Sequence, residues 1–319
     1  MRTEPKVSVV IAAYESAGFI ARAVKSALAQ TLANIEIIVV DDASKDDTAI
    51  NAAAAGEGDK RLRVIRLPEN GGPSGARNAA LNAARGDWIC VLDSDDAMEP
   101  ERLEALVSFA EADGADIAAD ALLMVDEGAE DEPGKVFNHS ALSSPITLET
   151  YARDNCLYKK NGGSGYLKPI IRRAFIEQYQ LRYDTTMRIA EDWMLLANAL
   201  ALGARYALIE KPLYRYTIRA GSISHRLSQK TLAPMLASAD AFIAQHRLRL
   251  SEEALRALQR RRDSIADALA YQRFIDNAKA RNIPSALGAI AMRPSAWPLL
   301  RLPIEARLKR SRGGRQMAQ

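Results

Sequence analysis

The 319 residues carry 43 Lys and Arg against 40 Asp and Glu, a net charge of +3, and 48% of them are apolar. That is ample material for a buried core, while the basic excess is too small to argue for a nucleic-acid surface. Two cysteines, Cys90 and Cys156, lie far apart without a CxxC pair, which excludes a disulfide framework and a thiolate metal site and suits a reducing cytoplasm.

Residues 1–6 are polar and unlike a secretory leader, and no run approaches the ~20 apolar residues of a membrane span. Residues 7–12 form a short, β-branched run suited to a strand buried on both faces. Ile20, Ala23, Val24, Ala27 and Leu28 then recur at helical spacing and predict a crossover helix. Residues 36–40 read as a second strand ending in Asp41-Asp42, and Ser44 with Asp47 is spaced to cap a short alanine-rich helix. A weaker third strand spans 63–67. Asn70-Gly71-Gly72-Pro73 breaks the chain, and Ala76, Ala79, Ala80 and Ala83 offer a smooth face for close packing on a sheet. Residues 88–92 predict a fourth strand that runs into Asp93-Ser94-Asp95-Asp96.

A helix is predicted to residue 112, a strand over 116–125 and an exposed acidic loop over 126–144. Two helical patterns flank Asn161-Gly162-Gly163-Ser164-Gly165, and Glu191-Asp192 precedes an apolar helix over 194–202. After Ser228 the pattern is helical throughout. Near the end, Arg301, Arg307, Lys309, Arg310, Arg312 and Arg315 alternate with Leu300, Leu302, Ile304 and Leu308; this reads as a solvated tail or as a segment drawn to anionic lipid. The fold class is therefore α/β, a mostly parallel sheet flanked by helices with a helical C-terminal extension.

The acids fall at C-terminal strand ends, where open parallel sheets bind their ligands. Asp93 and Asp95, two residues apart, present oxygen ligands of the kind that suit Mg²⁺ or Mn²⁺, although an acidic turn has the same pattern. Tyr14 offers a ring to stack on a base or to pack half-buried, and Asp42 offers an acceptor for a base or ribose or serves as a turn acid. Glu191 and Asp192, read on their spacing alone, favour a helix N-terminus through its dipole.

Taken in order, residues 7–11 with Ala13-Tyr14, the segment from Val40 to Asp46, Gly75-Ala76-Arg77-Asn78, Leu92-Asp93-Ser94-Asp95-Asp96 and Ala190-Glu191-Asp192-Trp193 resemble the family 2 glycosyltransferases of GT-A fold. The resemblance covers about the first 225 residues. It implies a nucleotide-sugar site built from Ala12, Ala13, Tyr14, Glu15, Asp42, Arg77, Asp93 and Ser94, with Asp42 reading the base, usually uracil. It further implies Asp95, with Asp93 beside it, as the ligand of Mn²⁺ or Mg²⁺, and Asp192 as the base of an inverting transfer, with Glu191 the close alternative. Arg219 and His225 fall where the family closes a loop over the diphosphate. The implied enzyme is a cytoplasmic hexosyltransferase of bacterial exopolysaccharide synthesis. Its donor is a UDP-sugar, with UDP-glucose the leading expectation, and its acceptor is a glycan or lipid-linked saccharide. The expected organisation is a donor part over 1–110, an acceptor part over 111–228 and an extension over 229–319 that contacts the membrane face. Ala12 and Ala13 replace the Thr or Pro often seen before the aromatic residue, which leaves contacts there to the backbone. No QxxRW follows Glu191-Asp192, which disfavours a processive synthase.

A dinucleotide-binding dehydrogenase would need GxGxxG after the first strand, and a P-loop kinase GxxxxGK[ST]; neither is present. A nucleotidyltransferase, or a nucleotide-sugar-binding protein of the same fold without activity, stays open as an alternative.

Overall fold

The structure, a computed structural model, describes residues 4–129, 132–137, 144–158, 163–219 and 227–302. Strand β1 (Val7–Ala13) is flanked in parallel by β2 (Ile35–Asp41) and β4 (Trp88–Val91), with β3 (Leu62–Arg66) outside β2. Strands β2 and β4 are buried throughout, as their unbroken apolar runs require of central parallel strands. The register sets Ala13 against Asp41 and Val10 against Val91, so the chain leaves all three strands at one edge, at Tyr14, Asp42 and Leu92-Asp93. Helix α1 (Ile20–Leu28) buries Ile20, Ala23, Val24 and Ala27, the predicted stripe. Helix α3 (Gly72–Ala83) buries Ala76 and Ala80 against the sheet.

The expected cap of α2 (Thr48–Ala55) is not made. Asp47 holds the N-cap position without a side-chain bond, Asp46 Oδ1 accepts from Thr48 N at 3.1 Å, and Ser44 Oγ accepts from Glu15 N at 3.0 Å. Ser44 is spent on tying the β1 and β2 exits together.

The second half adds β5 (Ala97–Met98), α4 (Arg102–Asp113), β6 (Ile117–Asp126), β7 (Lys135–Val136), α5 (Leu148–Asp154), a 3₁₀ turn (Ser164–Tyr166), β8 (Ile170–Arg172), α6 (Arg173–Gln178), α7 (Glu191–Ala201) and β9 (Tyr206–Ile218). Strand order among the described residues is β3-β2-β1-β4-β8-β6-β9-β5, with β7 on β6. Strand β8 runs antiparallel to β4 and β6, and β5 antiparallel to β9, so the parallel half is continued by a mixed half. The pattern after the glycine-rich stretch yields β8 and α6 rather than one helix. Strand β9 was not legible because Lys211-Pro212 interrupts it; Pro212 sits at the register shift opposite Ala121, where a missing N–H is tolerated.

Past Ser228, whose Oγ accepts from Thr231 N at 3.3 Å, come α8 (Gln229–His246), α9 (Glu252–Lys279), α10 (Ile283–Ala291) and a 3₁₀ segment (Pro294–Arg301). Leu232, Met235, Phe242, Leu258 and Ile265 join the core of the sheet. Ala270, Ile290 and Ala296 form a separate small cluster against which Leu300 packs, so one apolar residue of the predicted tail faces protein. Residues from 303 onward, with most of that tail, lie outside the described residues.

The mixed half is pinned by a fully buried ion pair, Arg102 to Asp120, at 2.7 Å, with Tyr214 under the guanidinium at 4.8 Å. Removing one partner of such a pair strands the other charge, so Asp120→Ala is expected to cost about 3–5 kcal/mol in urea unfolding. An Arg102→Met/Asp120→Leu double variant should recover much of that loss. A single-variant cost below about 1 kcal/mol would show that the pair does not hold this half together.

Candidate active site

The three parallel exits meet in a hydrogen-bonded seam. Asp42 is buried; its N donates to Ala13 O at 2.8 Å and its Oδ1 accepts from Gly71 N at 2.8 Å. Asn70 Nδ2 donates to Asp42 O at 3.1 Å, so Asp42 fastens the entry of α3 to the ends of β1 and β2. Ala12 is half-buried, Ala13 buried, and Tyr14 is 49% exposed at the rim. Glu15 adopts φ +49°, and its carboxylate accepts from Lys45 N at 2.9 Å. Gly72, at φ +72°, begins α3 in a left-handed conformation that a side chain would strain.

Below this seam lies a closed ring of alternating charge. Arg77, projecting from α3, reaches Asp93 Oδ1 at 2.9 Å and Asp192 Oδ1 at 3.0 Å. Lys168, just before β8, reaches Asp93 Oδ2 at 2.7 Å and Asp192 Oδ2 at 3.4 Å. Arg77 Nη1 also donates to Glu191 Oε1 at 2.6 Å. Burial opposes the charge on both cations, but the surrounding carboxylates outweigh it and raise both above their ordinary values. Burial likewise opposes ionisation of Asp93, yet Lys168 and Arg77 hold it well below the usual carboxylate range. Glu191 moves the other way, raised by burial and by Asp192 against the pull of Arg77. Tyr183 flanks the ring, 5.5 Å from the Arg77 guanidinium.

The remaining acids diverge. Asp95 Oδ2 accepts from Arg219 Nη1 at 3.0 Å, its carbonyl accepts from Arg22, and its side chain is 30% exposed. Asp96 turns inward, accepting from the Tyr214 hydroxyl and from Thr217 N, each at 2.8 Å, and burial with the nearby Asp93 and Asp95 pushes it up to about 8. Ser94 Oγ lies 3.0 Å from Ser16 Oγ. No group of three or more His, Cys, Asp or Glu converges on one point among the described residues. The chemistry of Asp95, a carboxylate 30% exposed, nonetheless fits a hard cation, which would have to displace Arg219 from it.

The structure thus joins Arg77, Asp93, Glu191 and Asp192 in one ring, sets Asp95 and Arg219 beside it, and places Ala12, Ala13, Tyr14, Glu15 and Asp42 at the neighbouring strand exits. His225 lies outside the described residues. Sequence reasoning missed Lys168 and Tyr214. A lone Lys before Pro169 carries no spacing signal, and Tyr214 belongs to the illegible β9.

The family model described as Glycosyl transferase family 2 matches residues 8–178. The chain belongs to glycosyltransferase family 2. It is 41% identical over 308 residues to the succinoglycan biosynthesis protein ExoO of Rhizobium meliloti strain 1021, covering 96% of this chain and 87% of that protein. It is 37% identical over 297 residues to ExoU of the same organism, covering 92% and 85%. The structure of S. aureus TarS 1–349 in complex with UDP-GlcNAc matches with a TM-score of 0.62 at 21% identity, over 89% of this chain and 90% of that one. The mannosyltransferase PcManGT of Pyrobaculum calidifontis, solved with GDP-Man and Mn²⁺, matches with a TM-score of 0.55 at 18% identity, over 96% and 81%. These two likenesses show the GT-A fold.

For this glycosyltransferase, Lys168→Met leaves Asp93 and Asp192 to share Arg77 alone. Transfer is expected to fall by more than about tenfold in kcat/KM, equivalent to ~1.4 kcal/mol, with partial recovery in Lys168→Arg. Unchanged transfer by a Lys168→Met protein with native circular dichroism would show that the ring is dispensable.

Proposed function

We propose that this glycosyltransferase moves a sugar from a nucleoside diphosphate donor, a UDP-sugar, to a hydroxyl of a growing glycan or lipid-linked saccharide, with inversion at the anomeric carbon. The observation that carries the reading is the ring itself, in which Asp93, on the donor side, and Asp192, on the acceptor side, share the same two cations. A role in bacterial exopolysaccharide synthesis is supported by the likeness to ExoO and ExoU, whose names place them in succinoglycan biosynthesis. A lipid-linked acceptor would place the reaction at the face of a membrane. UDP-glucose, the donor suggested by the family resemblance, is the first to test.

In this reading the Tyr14 ring stacks on the base and Asp42, braced by Gly71, aligns it. Asp95 would hold Mn²⁺ or Mg²⁺; a divalent ion bound there supplies charge neutralisation for the departing diphosphate. Arg219, poised at Asp95, would turn to the diphosphate oxygens. Asp192 takes the proton of the acceptor hydroxyl. It is preferred to Glu191 because its side chain is 26% exposed against 9%, and because Arg77 holds Glu191 more closely, at 2.6 Å against 3.0 Å. Arg77 and Lys168 fix the orientation of that carboxylate. No nucleophilic side chain and no covalent intermediate is required.

Thermal shifts with UDP-glucose and Mn²⁺, read beside transfer rates, test each role, because a donor that binds only the native state stabilises it. Asp95→Asn should lose the metal-dependent part of the shift. Asp192→Asn should keep the donor shift and lose transfer by about 10²-fold or more, the usual contribution of a general base. Wild-type transfer in Asp192→Asn would reassign the base to Glu191, and full transfer in excess chelator would remove the metal from the scheme.

A further inference from the structure

Helix α10 has the sequence IPSALGAIA, apolar on every side except Ser285, yet only Ala286 and Ile290 are buried. A helix that is apolar all round normally lies inside a protein. Here Ile283 is 53% and Leu287 57% exposed, Met292 at its end is 89% exposed, and Trp297 in the following 3₁₀ segment is 54% exposed. Such residues close together in one short segment mark an interaction surface.

The charges beside this face that have no ion-pair partner among the described residues are basic. Lys279 and Arg281, directly before α10, form no ion pair among the described residues, and neither does Arg301 after it. Arg293 is the exception, neutralised by Asp267 at 2.5 Å and Asp263 at 3.1 Å. The sequence that follows, 303–319, is itself basic in composition, with Arg307, Lys309, Arg310, Arg312 and Arg315 against the single acid Glu305. Pairing this face with a second copy would bring like charges together, which opposes association. An anionic lipid surface meets both requirements at once, taking the apolar side chains at the acyl boundary and the cations at its headgroups.

We propose that α10 and the 3₁₀ segment after it form the face that seats this glycosyltransferase on an anionic bilayer. The contact is interfacial: a helix of 9 residues is about 14 Å long against a hydrocarbon core of ~30 Å, and no described helix is long and apolar enough to cross.

The full chain carries its own reporter, because Trp88 and Trp193 are buried and Trp297 is not. With phosphatidylglycerol/phosphatidylcholine vesicles, tryptophan emission should shift to the blue and the protein should co-sediment. Its binding constant should be at least about tenfold above that on phosphatidylcholine alone and should fall with added salt. Leu287→Asp/Met292→Asp should abolish the shift, and Lys279→Glu/Arg281→Glu should remove the preference for anionic vesicles, both with wild-type circular dichroism. Equal sedimentation with anionic, neutral and no vesicles would overturn the proposal, as would undiminished binding by Leu287→Asp/Met292→Asp. A wild-type dimer on size exclusion that this double variant dissociates would assign the face to a second copy instead. Vesicle binding is read without donor or metal, so its failure leaves the reading of the sugar-transfer site untouched.

Discussion

Arg77 and Lys168 stand between Asp93, Glu191 and Asp192 where burial makes any unpaired charge costly. Each cation is shared by at least two carboxylates, so removing one member leaves its neighbours with fewer partners. The members come from α3, the exit of β4, the segment before β8 and the first turn of α7, and their pairing fixes how those four elements meet. The candidate site is a consequence of that meeting. The seam at Tyr14 and Asp42 and the carboxylate of Asp192 belong to one frame because Asp42 fastens the entry of α3, from which Arg77 reaches Asp192.

A second tier of buried polar contacts supports the first. Arg102, paired with Asp120, also donates to the carbonyl of Lys168, so the pair that pins α4 to β6 also holds the backbone from which Lys168 projects. Tyr214 lies over the same guanidinium and donates to Asp96, while its oxygen accepts from Asp93 N at 3.1 Å. The acidic turn after β4 is thereby anchored from β9, and Arg219, directly after that strand, is the partner of Asp95.

The C-terminal helices contribute from behind. Arg261 of α9 lies over the Trp193 ring at 3.3 Å, and Tyr151 of α5 stacks on that ring with centroids 5.5 Å apart. Arg261 has no carboxylate partner among the described residues, and burial pulls it down to about 10. Its charge is accommodated by the aromatic face. Because Trp193 follows Asp192 directly, packing of α9 bears on the first turn of α7.

Local pattern by itself determined the parallel half of the sheet, since β1, β2 and β4 are short, mostly apolar runs that suit a doubly covered strand, and it set the acids at their ends. It also determined the family, through short segments in a fixed order. Tertiary structure alone decided that Lys168 completes the ring, that Asp93 turns to Arg77 and Lys168 while Asp95 turns to Arg219, that Ser44 ties loops and leaves α2 uncapped, and that β9 runs through Pro212 on a bulge. The division has a physical cause. Periodicity reports which face of an element is dry, whereas the pairing of a charge depends on what distant parts of the chain bring within about 4 Å of it, where low dielectric makes the choice of partner decisive.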